Sequence, residues 1–301
     1  MNKTRWIEIA LTASLLIMVS AVATQATVLR AFVSSTGKDA NIGANCVQAT
    51  PCKTFNVAIA AVTPGGELIA LDTSGYGPIA NINKAITIAA VPGATAFVVA
   101  ATGTAGFTVN GGATDMIVLR NINFNGANAA NTIGVQHNSG QLVIENCRFT
   151  QLNSGLSVSN ATDDLIDCNF YGNTTAVDIN STTIAVFENC RFELSANDGI
   201  DVQSGAKATL HNCVLAGNSG NGLYVTGQAM IDNCQISRNG IGIFSGYALA
   251  QVRVSNSNIT NNTIGVSAIG AILSRISNGV FTNTLEDNGT NGNFTGTYSA
   301  K

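Results

Sequence analysis

The chain has 301 residues and a net charge of −3, and only 10% of its residues are charged. Such a chain offers no basic field for nucleic acid and no polybasic patch for an anionic membrane surface. Its solvation has to come from Asn, Thr, Ser and Gly, which are plentiful.

Lys3 and Arg5 precede an apolar run from Ala10 to Val19, and small residues follow at Ala21, Ala23 and Ala26. That is the layout of a secretory signal peptide over residues 1–26. The run is shorter than the roughly 20 residues of a spanning helix, Glu8 shortens it further, and no later stretch could span a bilayer. The sequence therefore predicts cleavage after Ala23 or Ala26, and a mature chain that is secreted or periplasmic.

Residues 27–66 read as a terminal cap. Phe55, Ile59 and Val62 recur at helical spacing after Thr54, and Pro64, Gly65 and Gly66 stop them. Cys46 and Cys52 lie close together in a chain bound for an oxidising space, which predicts a local disulfide.

From there the chain repeats. "ENCRF" occurs at Glu145 to Phe149 and again at Glu188 to Phe192, with softer copies around Cys168, Cys213, Cys234 and Ser257. Aligned on the cysteine, the steps are 21 to Cys168, 22 to Cys190, 23 to Cys213, 21 to Cys234, 23 to Ser257 and 22 to Gly279. So regular a period marks a solenoid, expected over residues 67–287. Within a copy the apolar residues alternate: Cys190 and Phe192, then Ile200 and Val202, then Ala208 and Leu210. Three short strands separated by turns fit that spacing.

The asparagine before each cysteine, at 146, 189, 212, 233, 256 and 278 with Asp167 once, sits where the alternation breaks. It reads as a left-handed corner, and corners stacked about 4.8 Å apart can join their amides into a ladder. Phe149, Phe170, Phe192, Leu215, Ile236, Ile259 and Phe281 then form one inward column. The five cysteines of the repeat read as buried packing rather than as a metal site, because no Cys-x-x-Cys or His-x-x-x-His spacing accompanies them. Residues 288–301 read as a closing segment, either a final strand or a loose end.

The asparagine corners, with "AFVSSTGKDAN" and "PCKTFNVAIAAVTPGGELI" between Ala31 and Ile69, resemble the right-handed parallel β-helix proteins of the pectate-lyase-like class. The resemblance implies an all-β, single-stranded solenoid of three short parallel sheets, with an N-terminal cap containing a short helix over the open end. It also implies a substrate groove on the outer face of the first strand of each turn, here the Gly-[Ile/Leu/Val]-x-[Val/Ile] segments. Their outward column is Gln136, Ser157, Asp178, Asp201, Tyr224, Phe244 and Ser267. A second column holds Asn138, Ser159, Asn180, Gln203 and Thr226.

Amides and acids bind sugar hydroxyls, and aromatic rings stack on pyranoses. Gln136, Asp178, Asn180, Asp201, Gln203, Tyr224 and Phe244 are therefore the candidate ligand-binding residues, with polysaccharide or a cell-surface glycan as the partner. Asp178 and Asp201 on adjacent rungs would stand about 5 Å apart, with Asp198 nearby. They repel, so one holds a proton or the group binds a cation such as calcium. Two carboxylates at that separation also suit glycoside hydrolysis, which makes Asp178, Asp198 and Asp201 the catalytic candidates. "NDGIDV" from Asn197 resembles the Asn-Thr-Asp-Gly motif of polygalacturonases, but that family's paired-Asp motif, Gly-His-Gly and Arg-x-Lys are missing. β-Elimination would need a basic residue, and the outward columns hold none; Arg148 and Arg191 belong to another face, and Lys207 is nearest in sequence. Three readings stand: an exported, monomeric, non-catalytic glycan binder; a polysaccharide hydrolase or lyase; and a structural or adhesive surface protein.

Overall fold

The computed structural model describes residues 27–277 and 280–299. The signal peptide expected over 1–26 and the corner expected at Asn278 lie outside them.

Each turn of the chain lays down three strands. The turn after Gly140 is typical: Gln141–Glu145, then Arg148–Thr150, then Ser154–Val158, before the next turn begins at Thr162–Ile166. Successive turns pair in parallel, so the described strands sort into three sheets of thirteen, ten and nine strands, called here A, B and C in their order along a turn. Alternation decides which side chains enter. In Lys207–His211, Ala208 and Leu210 are buried while Lys207, Thr209 and His211 face water, the period-2 pattern of a half-buried strand.

The corner between sheets A and B is a single residue. Asn121, Asn146, Asp167, Asn189, Asn212, Asn233 and Asn256 all have φ between 49° and 58°, the left-handed conformation that Asn and Asp tolerate best. Inside this corner Cys147, Cys168, Cys190, Cys213 and Cys234 are buried and free. Their thiols point at backbone carbonyls, Cys190 Sγ at Leu165 O (3.4 Å) and Glu188 O (3.3 Å) for example. Burial pushes the Cys147 thiol up to about 12, so it stays protonated and inert.

Phe149, Phe170, Phe192, Leu215, Ile236 and Ile259 are all fully buried in one column. The rings of Phe124, Phe149 and Phe170 stack at 4.9 and 4.5 Å between centroids. The expected seventh member is different. Ile259 pairs with Leu285, not Phe281, because Ala271–Ser277 runs on for seven residues and turns back antiparallel onto Val280–Phe281. That reversal lengthens the last step, so Thr282 and Asn283 follow Asn256 and Ser257 in register: Thr282 Oγ1 accepts from Asn256 N (3.2 Å) and Asn283 Oδ1 from Ser257 N (3.0 Å).

Further segments pack at both ends of the solenoid. At the N-terminus, Val28–Val33 stacks in parallel on Val62–Ala70, a strand that runs straight across residue 66. A short helix, Phe55–Ala58, is capped by Thr54 Oγ1 accepting from Val57 N, and it buries Phe55 against Tyr76 and Phe107. Cys46 and Cys52 are disulfide-bonded in this region with Cα atoms 5.0 Å apart. At the C-terminus, Gly296–Ser299 adds a strand to sheet A beside Ala271–Ser277. The segment from residue 288 thus belongs to the last turn, which its first residue anchors: Asn288 Nδ2 donates to Ile259 O (2.9 Å).

Candidate functional site

The outer face of sheet C carries the column read from the sequence. Gln136 pairs with Ser157, Ser157 with Asp178, Asp178 with Asp201, Asp201 with Tyr224, Tyr224 with Phe244 and Phe244 with Ser267. All are half-buried. Parallel pairing from rung to rung holds the column in line: each strand keeps its i, i+2 positions on one face, and the turns absorb the unequal steps between rungs.

Two features give this face its chemistry. The rings of Tyr224 and Phe244 lie 5.4 Å apart at a 46° tilt, and Tyr224 rests over Gly246, where an added Cβ would come within 2.4 Å of the ring. Next to them stand Asp201 and Asp178. Burial, then the charges of Asp178 and Asp198, push the Asp201 carboxyl up to about 6, and its Oδ1 is buried with no hydrogen-bond partner. Burial also raises Asp178, against the hydrogen bond from Ser154 that lowers it. Two carboxylates in this register hold a proton more tightly than either would alone.

Asp198 does not join them on the outer face. It sits in the turn before the strand and is only 7% exposed. Its Oδ1 accepts from Asn221 N (2.7 Å) and Asn221 Nδ2 (2.8 Å) of the next rung. Its contribution to the site is charge at a distance. Among the described residues no group of three or more His, Cys, Asp or Glu side chains could hold a metal ion, so Asp178, Asp198 and Asp201 do not form the calcium cluster considered from the sequence.

The second column is a row of amides with its own bonds. Asn138 Nδ2 donates to Asn110 Oδ1 (2.9 Å), and Asn110 Nδ2 to Asn81 Oδ1 (2.8 Å). Gln136 Nε2 reaches Asn138 Oδ1 at 3.4 Å. Asn180 Nδ2 is tied to Val158 O (2.9 Å), and Gln203 is exposed. Lys207 is on sheet A, paired with Ile184 and Gln228 and facing outward, so no base reaches the sheet C columns from it.

One buried polar pair was not anticipated. His137, the inward neighbour of Gln136, meets Asp163 of sheet A in the core, Nδ1 to Oδ1 at 2.8 Å, with both side chains fully buried. Its Nε2 bonds Ser139 O at 3.0 Å. No ligand reaches this pair, and burial raises Asp163.

Comparison with known proteins agrees with this architecture. A family model described as the right handed beta helix region matches residues 154–300. The fold is that of a right-handed parallel β-helix, and the family model covers its C-terminal half. No curated protein matches its sequence significantly. Among solved structures, Geobacillus virus E2 ORF18 resembles this β-helix with a TM-score of 0.58 at 15% identity, over 80% of this chain and 55% of the viral one. The A-module of Azotobacter vinelandii mannuronan C-5 epimerase AlgE6 gives 0.56 at 17%, over 75% and 69% of the two chains. A rhamnogalacturonan lyase gives 0.51 at 14%, over 87% and 86%. The chain thus spans about half the length of the viral protein, and at such identities the likeness is one of fold, which does not carry function. Among the described residues no helix is long and apolar enough to cross a membrane.

Proposed function

We propose that this β-helix is an exported protein that binds polysaccharide along the outer face of sheet C. The observation that carries the reading is the tilted Tyr224–Phe244 pair standing in register with Asp201 and Asp178. Half-buried rings on rigid neighbouring strands present apolar faces to a pyranose at little entropic cost, and the acids and amides beside them accept and donate to its hydroxyls. Proteins of similar fold named for acting on mannuronan and on rhamnogalacturonan support a glycan ligand. Export rests on the layout of residues 1–26 and on the disulfide between Cys46 and Cys52.

A glycan array followed by titration tests the reading. The expected result is saturable binding to at least one polysaccharide, weakened at least about tenfold, roughly 1.4 kcal/mol, in a Tyr224→Ala, Phe244→Ala double variant. No binding, or binding indifferent to the two rings, overturns it.

Asp201 supports a second reading, a glycoside hydrolase. A carboxyl held near 6 beside a second carboxylate is poised to give a proton to a leaving group. Incubation with neutral glycans and polyuronates, with and without calcium, should then release reducing ends, and Asp201→Asn should abolish the release. Absence of product ends this reading and leaves the binding one standing.

A further inference from the structure

The two "ENCRF" copies differ in what surrounds their arginines. On the outer face of sheet B one column runs Phe97, Asn123, Arg148, Asn169, Arg191, and the column beside it runs Asn125, Thr150, Tyr171, Glu193. Arg191 is neutralised within its own strand, where Nη2 meets Glu193 Oε1 at 2.7 Å and Nε meets Glu193 Oε2 at 3.0 Å. Arg148 has Thr150 in that place, and Thr150 is held by Asn125 Nδ2 at 3.0 Å. Glu145, the acid of the same motif, is paired with Arg120. Among the described residues Arg148 has no carboxylate within ion-pairing reach. Asp167, at the next corner, lines together with Arg148 an adjoining hollow but makes no ion pair with it.

Arg148 instead leans on an aromatic ring, its Cζ 5.8 Å from the centroid of Tyr171. Around the two lies an open groove of about 460 Å³ that also takes in Phe97, Asn123, Asn125 and Thr150 and contains no acid. Tyr171 and Phe97 are 42% and 39% exposed, which leaves ring surface open to a ligand. The volume is that of a small-ligand site. The groove offers one unpaired guanidinium, two accessible rings and a border of amides.

We propose that this groove on sheet B is a second binding site, for a sugar ring bearing one acid group, with the acid paired to Arg148 and the ring lying against Tyr171 and Phe97. A guanidinium matches carboxylate and sulfate geometry with paired N–H donors. The amides of Asn123 and Asn125 supply bonds for hydroxyls. Sheet C favours a different ligand, because Asp178 and Asp201 would repel the same acid. The site stands independently of the one on sheet C, around the solenoid on another face.

Titration of the full chain with an oligogalacturonate, a sulfated galactan oligosaccharide and a neutral galactan oligosaccharide of the same length tests the proposal. The carboxylated or the sulfated ligand, or both, should bind at least about tenfold tighter than the neutral one, and added salt should weaken the difference. Arg148→Gln should remove the preference. Thr150→Glu, which recreates beside Arg148 the neighbour that Arg191 has, should remove it too, whereas Arg191→Gln should keep it. Equal affinity for charged and neutral ligands, no binding of either charged ligand, or a preference that survives Thr150→Glu overturns the proposal.

Discussion

Asp201 is a carboxyl that folding makes harder to ionise. Its pKa moves from the usual 3.8 to about 6 because burial and the neighbouring charges of Asp178 and Asp198 all disfavour the anion. A folded-state pKa above the unfolded one means that the folded chain binds the proton more tightly, so this group favours folding at low pH. Its contribution is complete below about 4 and is lost as pH rises to about 6 and beyond. Asp201→Asn carries no charge to desolvate. The variant should therefore melt higher than the wild type at pH 7, with the gap closing towards pH 4, as thermal unfolding followed at several pH values would show. Asp178 is raised in the same direction, so some slope should persist in the variant. A gap that widened towards low pH would contradict the assignment.

The pairing of Asp178 with Asp201 was legible from the sequence, because the recurring Gly-[Ile/Leu/Val]-x-[Val/Ile] segment marks the rung and period-2 alternation marks the face. Asp198 was not. It stands in a turn, where alternation says nothing about side-chain direction, and its orientation is set by Asn221 on the next rung. The His137–Asp163 pair was equally hidden: it joins inward positions of two different sheets whose equivalents in other turns are apolar, such as Val158 and Ala185.

At the scale of elements, two asparagine ladders run along the solenoid, and only the outer one shows in "ENCRF". Its members are bonded in part, Asn146 Nδ2 to Asn121 Oδ1 at 2.8 Å and Asn233 Nδ2 to Asn212 Oδ1, and they lie at the surface. The inner ladder falls three residues after the inward column, at Asn173, Asn218, Asn239, Asn262 and Asn288. Leu152 stands one rung before it and Ser195 interrupts it, which obscures its period in the sequence. Asn239 shows its bonding. Its Oδ1 accepts from Asn218 N (3.0 Å) and Asn218 Nδ2 (2.9 Å), while its Nδ2 donates to Leu215 O (3.0 Å) and Asn262 Oδ1 (3.0 Å). Asn239 is only 2% exposed, so water cannot replace these partners.

The two ladders should therefore respond differently to mutation. Asn239→Ala leaves several buried groups unpaired and should cost about 3 kcal/mol in chemical denaturation. Asn233→Gly removes one exposed bond but keeps the left-handed corner accessible, so its cost should stay within about 1 kcal/mol. Equal losses would mean that the corner, and not the buried amide row, carries the stability. The inner ladder also explains why turns can differ in length by several residues while the core stays aligned. Each rung is pinned to the next at both sides of sheet B, once by the left-handed corner and once by the buried amide.

The molecule as a whole is a rigid rod whose sites are repeated along one axis, and this shapes how it should recognise a polymer. From Asp178 through Asp201 and Tyr224 to Phe244 there are three rung steps, about 14 Å at the usual strand spacing. The groups sit on strands paired on both sides, so little ordering is needed when a ligand arrives, and successive contacts act as if at high local concentration. Affinity for one series of oligosaccharides should accordingly rise with chain length until the ligand spans that column, and then level off. Removing both rings with Tyr224→Ala and Phe244→Ala should flatten the rise, because the longer ligands then meet no further apolar face. Calorimetric titration of the series against both proteins distinguishes this from a single closed pocket, for which the shortest ligand would already bind as tightly as the longest. A pocket-like result would move recognition away from the column and to one local feature of the face, with the remaining rungs serving as scaffold.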